Sequence, residues 1–173
     1  MLGLPPGTVK LSPFSPQWEK LYKIEEKRIA DALGALAMDI QHIGSTSIPG
    51  LSAKPVIDIA IMIPQISDLD KCIPLMESAG FEYLGDFGLP GRNFFVLGNP
   101  RTCHVHMVEK GSNHWKQWII FRDYLVAHPD VAEKYDSLKK ELAEKFPNDR
   151  ESYLAGKAPL IAEILENAAK ELG

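Results

Sequence analysis

The stretch that decides the fold runs from His42 to Ile63, HIGSTSIPGLSAKPVIDIAIMI. A loop of small residues leads into an apolar run, residues 55–63, that contains one acid, Asp58. Glycine and hydroxyl residues let backbone N–H groups approach a ligand closely, so the loop is typical of an anion site such as a phosphate site. The run is too apolar on both faces for a surface strand. We therefore expect Asp58 at the functional edge of a buried sheet or beside a partner.

Length and composition predict one soluble domain over residues 1–173. The chain is 45% apolar and 24% charged, as an ordinary globular domain is. Its formal charge of −4 argues against a broad nucleic-acid surface, which needs clustered basic residues. No apolar run approaches the roughly 18 residues of a membrane helix, and the start MLGLPPGTVK does not resemble a signal peptide. We expect a cytoplasmic protein without membrane contact, and nothing in the pattern specifies an oligomeric state.

Strands and helices alternate in the first part of the chain, and only helices follow. The segments expected in order are a helix from Ser15 to Gly34, a strand over 38–42, the strand over 55–63, a helix from Ser67 to Gly80, strands over 81–84, 93–97 and 102–108, and helices from 112 to the end. The face of the second of these late helices is predicted from Val131, Tyr135, Leu138 and Leu142. Gly156 and Pro159 are expected to break the last one before a final helix over 160–172. This order predicts an α+β fold: a mixed sheet with flanking helices and a helical C-terminal layer.

Two histidines lie two residues apart in the segment Thr102–Val108, so a strand would place His104 and His106 on one face. If that strand lies near Asp58, two imidazoles and one carboxylate form a candidate catalytic group. The same three side chains could hold one metal ion. This ligand set favours a transition metal such as zinc, manganese or nickel over magnesium. Alternatively, the histidines bond to loop backbone or bind an anion when protonated.

His42 alternates with polar residues, which places it on the apolar face of its strand, just before the small-residue loop. Two interpretations stay open. It is either a hydrogen-bonded core histidine or a member of the site.

Basic residues near these motifs are candidate anion ligands. Lys54 precedes the Asp58 strand, and Arg92 follows two glycines. Arginine offers a planar fork to a phosphate, and lysine a point charge. Further candidates are Arg122, Arg150 and Lys157. Taken singly, such residues are more often solvated surface residues.

Several blocks along the chain together resemble one family. They are HIGSTSIPGLSAKPVIDI, SPFSPQWEKLYKIEE, GLPGRNFF, HVHMVE, FRDYLVAHPD and DRESYLAGK. On these blocks, which cover nearly the whole chain, it is identified as a member of the GrpB family. That family is similar to the nucleotidyltransferase superfamily, whose fold resembles the palm of polymerase beta. The resemblance implies that fold and a nucleotide-type pocket.

The resemblance also implies roles for individual residues. In nucleotidyltransferases a Gly-Ser pair holds the triphosphate, which maps onto Gly44 and Ser45, with Thr46 continuing the loop. Two acids two residues apart, with a third from a neighbouring strand, bind the metals of phosphoryl transfer. Asp58 matches the first acid, but the second position is Ala60, which cannot bind a metal.

Three function classes follow. The first is a metal-assisted nucleotidyl or phosphoryl transferase that acts on a phosphate-containing small molecule. In the second, a nucleotide or phospho-ligand module binds such a molecule without catalysis. A metal-dependent hydrolase built on the histidine pair is the third. Ala60 favours the second class over the first, while His104 and His106 keep the other two open.

Overall fold

The computed structural model describes residues 2–172, in which helices flank one sheet. The elements are α1 (Gln17–Leu33), β1 (Asp39–Ile43), β2 (Ile57–Ile63), α2 (Leu69–Ser78), β3 (Glu82–Tyr83), β4 (Asn93–Leu97), β5 (Cys103–Glu109), α3 (Asn113–Ala127), α4 (Pro129–Lys145) and α5 (Arg150–Leu172). Within residues 2–172, no helix combines the length and the apolar character that a bilayer crossing needs.

The sheet is mixed, with strand order β1-β2-β5-β4-β3. The central strands β2 and β5 are parallel, and the other neighbouring pairs are antiparallel. The strands predicted over 93–97 and 102–108 are confirmed as the antiparallel neighbours β4 and β5. In the β2–β5 register, Asp58 lies opposite His104 and Ala60 lies opposite His106.

The two faces of the sheet carry different side chains, because side chains alternate along each strand. Ile57, Ile59 and Ile61 of β2 are fully buried against α1 and α2 in the main core. Asp58 and its neighbours on β5 project from the opposite face. Burial of one face thus fixes which side chains the other face presents.

The three C-terminal helices form a layer of their own. Their apolar core also includes Ile48 and Leu51, which belong to the connection between β1 and β2. The helical layer is therefore packed directly onto the small-residue segment. The predicted fold class, a mixed sheet with flanking helices and a helical C-terminal layer, is confirmed.

The predicted break in the last helix is wrong, since α5 continues through both Gly156 and Pro159. A Cβ atom at Gly156 would lie 2.5 Å from Leu142 Cδ2, so the glycine lets α5 approach α4 closely. A proline inside a helix removes one hydrogen bond. Burial of Leu160 and Ile164 in the next turns offsets that loss.

Candidate functional site

A cavity of about 200 Å³ lies between the Asp58 face of the sheet, the small-residue loop and the helices α4 and α5. Its polar and charged lining consists of Gly44, Ser45, Thr46, Lys54, Asp58, Arg92, His104, His106, Tyr135, Lys139, Arg150, Tyr153 and Lys157. The structure thus brings together all eight residues that were predicted to have a catalytic, phosphate-binding or metal-binding role. Those roles themselves remain predictions.

Asp58 makes polar contacts with both histidines of β5. His106 Nε2 lies 3.2 Å from Asp58 Oδ1, and His104 Nδ1 lies 3.4 Å from the same oxygen. Burial opposes ionisation of Asp58, but interactions with the two histidines, hydrogen bonding first, outweigh it and hold the pKa of Asp58 well below its usual range. Burial lowers the pKa of His106. We therefore assign an ionised Asp58 and a neutral His106 near pH 7.

The tautomer of His106 follows from its second neighbour. Arg92 Nη1 lies 3.4 Å from His106 Nδ1, and a guanidinium can only donate. Nδ1 is therefore the acceptor, so the ring proton is on Nε2, which donates to Asp58. Both ring nitrogens are thereby occupied by protein partners.

This arrangement does not fit a metal ion. Among residues 2–172, no three His, Cys, Asp or Glu side chains group as metal ligands do. His106 has its ring nitrogens directed at Asp58 and Arg92, and the surrounding charge is positive. The metal site at Asp58, His104 and His106 therefore stays a prediction.

Gly44 brings the loop into contact with Asp58. Its φ is 70°, and a Cβ atom there would lie 2.9 Å from Asp58 Oδ2. The next residues, Ser45–Ser47, form one 3₁₀ turn, and Ser47 Oγ donates to the Gly44 carbonyl over 2.6 Å. The loop therefore needs glycine both for its backbone and for the close approach.

The substitution Gly44→Ala should cost more stability than Gly50→Ala. Both glycines have positive φ, but a Cβ atom at Gly50 would meet no heavy atom within 4 Å. The pair therefore separates the clash with Asp58 from the backbone strain that both share. We expect a difference of about 1–3 kcal/mol in the free energy of unfolding, measured by urea denaturation. Equal losses would show that the contact between Gly44 and Asp58 contributes nothing.

Helix α4 holds the other end of the loop through a buried ion pair. Lys139 is 1% exposed. It donates to Ser45 Oγ over 3.1 Å and to the Ser52 carbonyl, and it lies 3.7 Å from Asp136 Oδ1. Asp136 in turn accepts a hydrogen bond of 2.8 Å from the Ser52 backbone N–H. Lys139 and Asp136 thus hold the loop at two points, Ser45 and Ser52.

These two residues were missed in the sequence because α4 was assigned by its apolar residues alone. The buried face consists of Ala132, Tyr135, Asp136, Lys139 and Leu142. That set follows the spacing i, i+3, i+4, i+7, i+10, which is one helical face with an acid and a base in the middle. A search for opposite charges on an otherwise apolar face would have found the pair.

Four of the five cations of the cavity form no salt bridge. Within residues 2–172, no carboxylate lies within 4.0 Å of a charged nitrogen of Lys54, Arg92, Arg150 or Lys157. Burial, followed by repulsion from Lys54 and Lys139, lowers the pKa of Lys157 to about 7. Burial likewise lowers the pKa of Lys139 to about 8. Five cationic side chains and a single carboxylate line this cavity, which makes it strongly electropositive.

Arg92 is held by the glycine-rich loop before β4. Its guanidinium donates to the carbonyls of Asp86 and Phe87 over 2.9 and 3.0 Å. It also lies over the Phe94 ring, 4.6 Å from the centroid. These contacts use part of its fork and orient the remainder towards His106 and the cavity.

His42 does not belong to the site. It is 6% exposed and lies opposite Ile59, on the core face of the sheet. Its ring stacks on Tyr22 at 4.6 Å, and Nε2 lies 2.9 Å from Thr46 Oγ1. Of the two interpretations of His42, the hydrogen-bonded core histidine is the one that the structure supports.

Arg122 is also absent from the cavity lining. It donates to Gln41 Oε1 over 2.9 Å and to the His42 carbonyl over 3.0 Å, so it fastens α3 to β1. Arg150 and Lys157, by contrast, both line the cavity.

The fold is nucleotidyltransferase-like. A solved structure of the Cid1 poly(U) polymerase bound to MgATP matches 76% of this chain and 44% of its own, with a TM-score of 0.53 at 12% identity. The crystal structure of the conserved protein GrpB from Enterococcus faecalis is much more similar. Its TM-score is 0.88 at 33% identity, and the match covers 94% of this chain and 99% of that one.

The chain belongs to the GrpB family, whose model matches residues 8–167. It is 39% identical over 171 residues to the glutamate-rich protein GrpB of Alkalihalophilus pseudofirmus, covering 95% of this chain and 98% of that protein. It is 37% identical over 167 residues to the Bacillus subtilis protein YqkA. That match covers 96% of this chain, which spans about half (49%) of YqkA. The family and fold predicted from the sequence are thus confirmed.

Proposed function

We propose that the cavity binds a small molecule that carries phosphate groups. The observation that carries this proposal is the cluster of Lys54, Arg150 and Lys157, which have no salt-bridge partner in the described chain and line the same cavity as Ser45. Unneutralised cations that repel one another destabilise a fold. A multivalent anion would relieve that repulsion.

Phosphate is the anion that best matches the chemistry of the lining. Arginine forks at Arg92 and Arg150 suit its tetrahedral oxygens, while lysines add charge without directional demands. The Ser45 hydroxyl and the backbone of the glycine loop supply uncharged donors. Five cations around one carboxylate favour two or more phosphate groups over one.

Transfer of a nucleotidyl or phosphoryl group is the second candidate function. The hydrogen-bonded pair of Asp58 and His106 favours it, because a carboxylate that orients an imidazole is a common acid–base arrangement. The fold also favours transfer. With Ala60 at the second acid position, however, a single carboxylate cannot support the two-metal mechanism. Metal assistance and the hydrolase hypothesis both depend on the metal that Asp58, His104 and His106 were predicted to hold.

Calorimetric titration with inorganic triphosphate, ATP and UTP tests the proposal. We expect binding without added metal, and a thermal stabilisation equivalent to roughly 2.7 kcal/mol at 100 times the dissociation constant. Affinity should fall by about 10-fold between pH 6.5 and 8.5. The cause is that Lys157, with a pKa of about 7, must be protonated to attract the anion.

Product analysis separates the candidate functions. ATP or UTP that binds but stays intact, with and without magnesium, manganese or zinc, supports a binding module. Metal-dependent release of pyrophosphate or phosphate would instead support the transferase or the hydrolase. If neither triphosphate, ATP nor UTP binds under any of these conditions, the proposed function is wrong.

A further inference from the structure

We propose that the phosphate-bearing ligand also carries a planar aromatic ring of the nucleobase kind, and that Phe87 stacks on this ring in a second cavity beside the first. This inference rests on the proposed function and deepens it. The site for the ligand's ring is formed by Phe87, in the loop before β4, and by the second cavity.

The second cavity adjoins the first and shares part of its lining. Its volume is about 270 Å³, and it lies towards the N-terminal segment that contains Leu4, Pro5 and Pro6. Six residues line both cavities: Lys54, Val56, Phe87, Phe94, His104 and Arg150. Each cavity alone is smaller than the roughly 300–1,000 Å³ of common ligand pockets, so a nucleotide-sized molecule would need both.

The two cavities differ in chemical character. The first contains Arg92, Lys139 and Lys157, which are absent from the second. The second adds the apolar side chains of the N-terminal segment, together with one charge of each sign at Arg101 and Glu151. Phosphate groups therefore suit the first cavity, and an uncharged ring suits the second.

Phe87 lies where the two cavities meet. It is 47% exposed, a high value for a phenylalanine. Among residues 2–172, it is also the one non-glycine residue with a positive φ, 47°. This conformation is strained for a bulky residue, and such strain is concentrated at ligand sites.

The surroundings of Phe87 are those of a stacking platform. Its ring stacks on Phe94 with centroids 5.2 Å apart and planes inclined by 24°. The Arg101 guanidinium, which also lines the second cavity, lies 5.9 Å from the Phe87 centroid. Aromatic faces and guanidinium planes together bind planar rings without needing hydrogen bonds from them.

The test compares ATP and UTP with inorganic triphosphate, because only the nucleotides carry a ring. Calorimetry on the wild-type protein should show at least one nucleotide binding about 10-fold more tightly than triphosphate. Phe87→Ala should weaken nucleotide binding by about 10-fold and leave triphosphate binding unchanged. Phe87→Trp keeps a ring and should retain nucleotide affinity, which controls for damage to the loop.

The possible outcomes separate this inference from the proposed function. Triphosphate that binds as tightly as both nucleotides would overturn the stacking inference and leave the phosphate site intact. The same holds if Phe87→Ala weakens both ligand types equally, or if it affects neither. If neither triphosphate nor the nucleotides bind, the proposed function itself fails.

Discussion

Replacing Lys139 by methionine should lower the free energy of unfolding by about 3–5 kcal/mol, the usual cost of breaking a buried ion pair from one side. Methionine fills much of the same volume but donates no hydrogen bond. The Ser52 carbonyl and Ser45 hydroxyl would lose their donor, and Asp136 would lose its buried partner. Because these bonds hold the loop against α4, we also expect phosphate binding to disappear.

Lys140→Met is the matched control, because Lys140 contacts the same carboxylate from the surface. Lys140 Nζ lies 2.7 Å from Asp136 Oδ2, and its side chain is 58% exposed. Exposed pairs contribute about 1 kcal/mol or less. Urea denaturation of both variants at pH 7 measures the difference. A loss at Lys139 no larger than the loss at Lys140 would show that the buried pair does not hold the loop.

The variant Lys157→Met should have the opposite effect on the ligand-free protein and stabilise it by about 1–2 kcal/mol. Lys157 belongs to the same cavity, but no acid in the described chain pairs with it. Methionine keeps the contact of the aliphatic stem and removes a poorly solvated charge. Triphosphate affinity should nevertheless fall by about 10- to 100-fold, because one attractive cation is lost.

The pH dependence of stability gives an independent check on Lys157. Its pKa is about 7 in the folded protein, against an ordinary value of 10.5. Between these values the unfolded chain binds more protons, so this group makes stability rise with pH from about 7 to 10. Below pH 7 its unfavourable contribution is complete and constant.

Urea denaturation of the ligand-free protein from pH 6 to 10 makes this comparison. The rise should be smaller in Lys157→Met than in the wild type, because the titrating lysine is gone. A variant that is less stable than the wild type at pH 7 and shows the same pH slope would contradict the assignment of Lys157 as an unpaired, partly buried cation.

Lys139 and Lys157 therefore show that the effect of a lysine on stability depends on its surroundings. Both side chains line one cavity, and burial lowers the pKa of each. Only Lys139 has a carboxylate and two oxygen acceptors within reach. The acid three residues before Lys139 is the local feature that separates the two lysines, since Lys157 has no acid three or four residues away.

Much of the fold and of the site could be predicted from local patterns. Three features can be recognised within a few consecutive residues: an apolar strand with one acid, an H-x-H pair and a glycine-rich loop. The alternation of side chains placed His104 and His106 on one face, and the parallel pairing of β2 and β5 puts that face beside Asp58. Those predictions succeeded because strand parity is a property of the chain itself.

By itself, then, the sequence determined the order of elements, the family and the identity of the loop and strand that form the cavity wall. Only the tertiary structure decided that Lys139, 94 residues away in the chain, closes the cavity by bonding to Ser45. It also decided that the histidine rings point at Asp58 and that α5 continues through Pro159. Each of these depends on contacts between distant segments. Periodicity records which face of an element is apolar, but packing selects the partner that this face meets.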